Sequence, residues 1–215
     1  MASNPFLTVF GISCSFKSRK ILGQIEYIFL YPINPKFIRH VEVDSFGIHR
    51  PIYDRDRKLM YSSGFKDGYN GKILLIHDMK DPSNPRFIGH GWVEGQKEGE
   101  EYSWDNSIVK NEAWCHEGNP WGNFVTAGWW DGGIVLFDCT DPSKPEFKWR
   151  HNPHETHGWP GNYHSFLVPK GSEFGIVTQE TITVNCEPPP AFITFVYPIF
   201  SRIFVAFPDL LPLLQ

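Results

Sequence analysis

Apolar positions along this chain fall in short runs that are broken by Asp, Pro, Gly and Asn. Runs of that length between turn residues read as strands. The first complete unit has runs at 48–53 and 59–63 around an Asp54-Arg-Asp-Arg-Lys58 turn, then 74–76, then a further run after Pro85. A second unit reads as 113–116, a Gly/Asn/Pro turn, 124–127, 134–137 and a run after Pro145. A third begins with 163–168, turns at Pro169-Lys170-Gly171-Ser172 and continues over 174–178. In each complete unit Asp-Pro-Ser supplies a turn: Asp and Ser bond backbone amides, and Pro presets φ. The last run starts after a proline, which is tolerated at a strand's first position because it need not donate there.

These units repeat. LLIHDMKDPSNPRFI at 74–88 aligns with IVLFDCTDPSKPEFK at 134–148, placing Asp78 on Asp138 and Pro85 on Pro145 at an offset of 60 residues. A weaker copy, NPKFIRH at 34–40, aligns with NPRFIGH at 84–90 at an offset of 50. Four-stranded units with periods of roughly 40–60 residues point to propeller blades. The expected class is therefore all-β, a β-propeller with about three recognisable four-stranded blades. The motifs IHDMKDPSNPRFIGH and LFDCTDPSKPEF resemble those of the LVIVD-repeat β-propellers over about residues 33–180. That resemblance implies a propeller fold and little about chemistry, because a fold does not fix a function.

Residues 33–180 are read as blades and 1–32 as a non-blade segment or degenerate strands. The stretch 181–215, rich in Phe, Pro, Leu, Ile and Val, is an atypical apolar tail. Two readings of that tail stand, translated intron sequence and a divergent terminal unit. At 50–60 residues per unit, a ring of four blades takes roughly 200–240 residues, against about 148 that carry the pattern, so an incomplete ring is expected. A truncated, inactive product is one consequence.

Composition narrows the function classes. The 19 Gly, 18 Pro and 16% aromatic residues disfavour a helical bundle. Twenty Lys and Arg against 24 Asp and Glu give a net charge of −4, which offers no basic field for nucleic acid. Cys14, Cys115, Cys139 and Cys186 are scattered without ligand-like pairing, favouring a reducing, cytoplasmic compartment. No basic residue precedes the apolar N-terminal stretch, so it does not read as a secretory signal. The apolar run at 191–207 contains Pro198 and Arg202 and falls short of a spanning helix, so a membrane partner is not expected. The sequence shows no GxSxG, GxGxxG, P-loop or HExxH pattern.

Histidine carries the candidate chemistry. His49, His116 and His164 fall near the start of the first strand of successive units, the strand that lines a propeller's central channel. Three convergent imidazoles suit a divalent transition metal, or supply acid and base groups near neutral pH. A second group, His151-Asn-Pro-His154-Glu155-Thr-His157, lies in a Pro- and Gly-rich loop. There His154 and His157 are candidate metal ligands and Glu155 a candidate catalytic base. Eight Trp between Trp92 and Trp159 read first as packing between units and second as a pocket lining. The acidic stretch 94–101 reads as a solvated loop. The leading function is small-molecule binding at the axial histidines, with or without a metal. Hydratase, isomerase and oxidoreductase chemistry are all compatible with it, and a protein-interaction scaffold is the alternative.

Overall fold

The computed structural model describes residues 6–14, 23–30, 36–43, 47–102, 113–152, 162–172, 174–179 and 195–198. Every regular element among them is a strand, arranged as four antiparallel sheets. The first sheet holds β1 (Phe6–Cys14), β2 (Gly23–Leu30) and β3 (Lys36–Val43). The second holds β4 (Ile48–Asp54), β5 (Leu59–Gly64), β6 (Ile73–Asp78) and β7 (Arg86–Gly91), each paired with its chain neighbour. The third repeats that order with β8 (Glu117–Trp121), β9 (Phe124–Gly128), β10 (Ile134–Asp138) and β11 (Glu146–His151). The fourth comprises β12 (Tyr163–Leu167), β13 (Phe174–Gln179) and β14 (Phe195–Pro198). β14 falls within the apolar tail, and the remainder of 181–215 lies outside the described residues.

The sequence repeat is also a repeat of hydrogen bonds. Asp78 Oδ1 accepts from the Lys80 amide at 2.9 Å, and Asp138 Oδ1 accepts from the Thr140 amide at 2.8 Å. Asp81 Oδ1 accepts from both the amide and hydroxyl of Ser83 (3.0 and 2.6 Å), as Asp141 does from Ser143 (2.9 and 2.7 Å). Each carboxylate thus closes a turn between an inner strand and the outer edge strand of its sheet. Asp81→Ala and Asp141→Ala should each lower the chemical denaturation midpoint slightly and by similar amounts, because the two turns make the same hydrogen bonds.

Strand alternation sends successive side chains to opposite faces, and both faces of β5, β6, β9 and β10 are buried. Leu74 and Ile76 of β6 meet Val125, Val135 and Phe137 of the third sheet in one cluster, which also contains Trp129. Ile73 and Leu75 point the other way, into a cluster with Ile48 and Met60 that Val41 and Val43 of β3 cover. Ile134 and Leu136 pack with Tyr163, Phe166 and Val177 of the fourth sheet. The sheets therefore stack face to face in chain order. Arg57 links two of them, its guanidinium donating to the carbonyl oxygens of Cys139 (2.6 Å) and Thr140 (3.3 Å).

One strand is displaced from its expected position. The first strand of the second unit is 117–121, not 113–116, and Gly118, Asn119 and Pro120 lie within it. The turn is the two-residue Gly122-Asn123, with Gly122 at φ 59°. Pro120 fits because β8 is an edge strand, where a missing amide donor breaks no ladder. No helix among the described residues is long and apolar enough to cross a membrane.

Candidate histidine site

The first strands of the second, third and fourth sheets each deliver one imidazole to a common point. His49 sits near the start of β4, where the register with β5 shifts between His49 and Ile52 and Arg50 takes φ 50°. His164 is the extra residue where β12 shifts register against β13, between Tyr163 and Ser165. Bulges of this kind locally re-aim side chains. His116 immediately precedes β8, and its amide donates to the Gly128 carbonyl at 2.9 Å.

The rings are in contact. His49 Nε2 and His116 Nε2 are 3.0 Å apart, with ring centroids at 4.7 Å and planes at 77°. The His164 ring lies against the His116 ring, with centroids 3.6 Å apart and a tilt of 37°. His164 Nδ1 is 2.8 Å from Ser165 Oγ. Ser63 ties two members together: its hydroxyl is 3.0 Å from the His116 carbonyl and 3.3 Å from that of His49. Glu117 is buried beside the cluster, 3.7 Å from Arg50 Nε, and accepts from Asn119 Nδ2 at 2.9 Å.

Burial and neighbouring charge keep the pair neutral. Desolvation, reinforced by Lys72, Arg50 and His164 and opposed by Glu117, lowers the His49 pKa to about 4. Desolvation and the other two histidines, with Arg50 and Lys72, lower that of His116 to about 3. At neutral pH each ring therefore carries one N–H and one lone pair. The Nε2 to Nε2 contact takes one donor and one acceptor, and the buried His116 Nδ1 has no hydrogen-bond partner. Acidification should weaken the fold. Below 6.5 the unfolded chain takes up protons that folded His49 and His116 refuse, so stability falls from pH 6.5 down to about 4 and about 3 respectively. Each neutral ring contributes a slope of at most about 1.4 kcal/mol per pH unit. Urea midpoints measured between pH 7 and pH 4 should decline, and His116→Gln should flatten that decline.

Among the described residues, no group of three or more His, Cys, Asp or Glu side chains is arranged to hold a metal ion. Two ring nitrogens, His49 Nε2 and His116 Nε2, face each other, whereas His164 meets His116 by ring contact and its Nδ1 lies 2.8 Å from Ser165 Oγ. Of the residues singled out in the sequence, His49, His116 and His164 meet here, and His154, Glu155 and His157 lie outside the described residues. Ser63, Glu117 and the two bulges were not singled out. Only the Arg50-Pro51 step within a strand signalled irregular pairing.

At the opposite end of the same three first strands lies a wide depression of about 530 Å³ lined by the turns at Asp54–Arg57, Trp121–Asn123 and Lys170–Gly171. The tryptophans divide between roles: Trp129 is fully buried, while Trp114 and Trp130 stack on one another at 5.7 Å and are half-buried. The acidic side chains of the 94–101 loop are exposed although Gly95 and Gln96 within it are buried, and Glu100 accepts from Trp92 Nε1 and the Gly95 amide, both at 3.2 Å. No family model matches the chain, and no curated protein is significantly similar to it.

Proposed function

We propose that the four-stranded meanders are blades of an LVIVD-type β-propeller, and that the His49, His116 and His164 cluster binds a small polar molecule. The observation that supports this is the facing pair of neutral nitrogens, His49 Nε2 and His116 Nε2 at 3.0 Å, beside a buried, unpartnered His116 Nδ1. A buried polar atom without a partner costs about 1–3 kcal/mol. A ligand that gives Nδ1 its one complementary hydrogen-bonding group relieves that cost. Arg50 and Lys72 add positive potential at the same place, since both act to lower the His49 and His116 pKa values. That favours an anionic or oxygen-rich ligand. In the metal-mediated version of this reading, the two Nε2 atoms are the first ligands and a third donor comes from elsewhere, with His154 and His157 as candidates.

The test is elemental analysis of the purified full chain combined with NMR titration by small carboxylates, read at the histidine rings. The proposal expects a carboxylate or a bound transition metal to perturb His49 and His116, and His49→Ala or His116→Ala to remove that response. Stoichiometric metal lost in both variants identifies the metal-mediated mode. No metal and no carboxylate acting at these rings overturns the proposal.

A second reading, a non-catalytic interaction scaffold, draws on the exposed rings of Phe147 and Phe174, which are 43% and 48% accessible. It expects partner binding to survive His116→Ala and to fail in Phe147→Ser.

A further inference from the structure

The repeat aligns His77 with Phe137 and Phe87 with Phe147, and the ring contact is preserved. Phe137 meets Phe147 edge-on at 5.8 Å and 73°, and His77 meets Phe87 edge-on at 5.6 Å and 67°. An imidazole thus stands where the other unit has a phenyl. The facing surface changes as well. Phe137 packs against Gly91 of β7 so closely that a Cβ there would lie 2.9 Å from the ring. In the weaker repeat copy, Val41 of β3 aligns with Gly91 and Val43 with Val93.

Between the second and third sheets this position is filled by Phe137 in a continuous core. Between the first and second sheets it is a cavity of about 190 Å³, lined by Val41, Val43, Phe65, Lys66, Leu75, His77 and Phe87. His77 is 1% exposed and its Nδ1 has no hydrogen-bond partner. Burying a polar ring in place of an apolar one without satisfying it is costly, and such orphan groups in native structures call for an explanation. Lys66 brings a cation to the same cavity, with Nζ 5.2 Å above the Phe87 ring.

We propose that this cavity is a second binding site, separate from the histidine cluster, for a small aromatic carboxylate. An apolar cavity of about 150 Å³ holds a benzene ring, so the volume accommodates a ring with a carboxylate attached. Val41, Val43, Leu75 and Phe65 cover the ring. The carboxylate meets the Lys66 ammonium at the end of the cavity that the His77 ring lines. His77 stays neutral without ligand, because burial lowers its pKa to about 4.

Benzoate titrated into the full chain by calorimetry, with benzyl alcohol as the uncharged match, tests the proposal. Saturable 1:1 benzoate binding is expected, at least about tenfold tighter than benzyl alcohol, as befits a charge-assisted hydrogen bond. Lys66→Met, at a half-buried position, should weaken benzoate about tenfold and leave benzyl alcohol unchanged. His77→Phe, which installs the residue of the other unit, should abolish binding of both without lowering the melting temperature. Absent benzoate saturation, equal affinity for the two probes, or benzoate binding unaffected by Lys66→Met overturns it.

Discussion

Gln96→Leu should cost the fold about 3–5 kcal/mol, the range reached when a buried hydrogen-bond network is broken. The Gln96 side chain is fully buried and each of its polar atoms is in use. Nε2 donates to the carbonyl oxygens of Asn70 (3.1 Å), Lys72 (3.1 Å) and Ala113 (2.6 Å). Oε1 accepts from the Val93 amide (3.2 Å) and from Trp129 Nε1 (3.0 Å). This one amide joins the segment before β6, the loop after β7, the approach to β8 and the tryptophan after β9. Leucine matches its bulk but strands the Asn70 and Ala113 carbonyls and two N–H groups, while the Lys72 carbonyl keeps the Cys115 amide at 2.9 Å. Equilibrium urea denaturation reads the effect directly, and a loss below about 1 kcal/mol would show that the network adds little.

Gly128→Ala should cost about 3 kcal/mol, the upper end of ordinary overpacking, and should also take the histidine cluster apart. A Cβ at Gly128 would lie 2.5 Å from the His164 carbonyl carbon and oxygen and 2.6 Å from the Tyr163 oxygen. All three are backbone atoms, so no rotamer change relieves the clash and β12 must move away from β9. Meanwhile the Gly128 carbonyl accepts the His116 amide. One residue thus sets the spacing between two of the three rings. The His116 titration should rise toward 6.5 as its burial and its contact with His164 are both relieved. A Gly128→Ala protein that melts with the wild type and keeps its histidine titrations would contradict this role.

The strands were legible because turn residues punctuate them: Asp54, Asp81 and Asp141 all fall where the chain turns, and the Asp-Pro-Ser repeat survives as matching hydrogen bonds. β8 was misplaced because Gly118, Asn119 and Pro120 carry turn chemistry that an edge strand tolerates. Asn119 stays in the strand by donating across to the Phe166 carbonyl at 3.0 Å, a contact that sequence spacing does not encode. The meeting of His49, His116 and His164 was readable from their shared place at the start of first strands. Their mode of contact was not, because the bulges at Arg50 and His164 turn the side chains by amounts that only the local register sets. Gln96 was silent in the sequence, since a glutamine in an acidic, Gly-containing loop reads as solvent-facing. Its burial follows from five partners that converge only after the sheets stack. His77 was equally silent, and only its alignment with Phe137 marks it.

Three sheets bring three imidazoles into one cluster in which burial keeps His49 and His116 neutral. Long-range proton–nitrogen NMR of the histidine rings, followed from neutral pH to acid in the full chain, tests it most directly. Among the nine histidines, His49 and His116 should stay neutral down to about 4 and about 3, and replacing either with Ala should shift the other's ring resonances. If both rings titrate independently near 6.5 and ignore each other's replacement, the cluster does not exist.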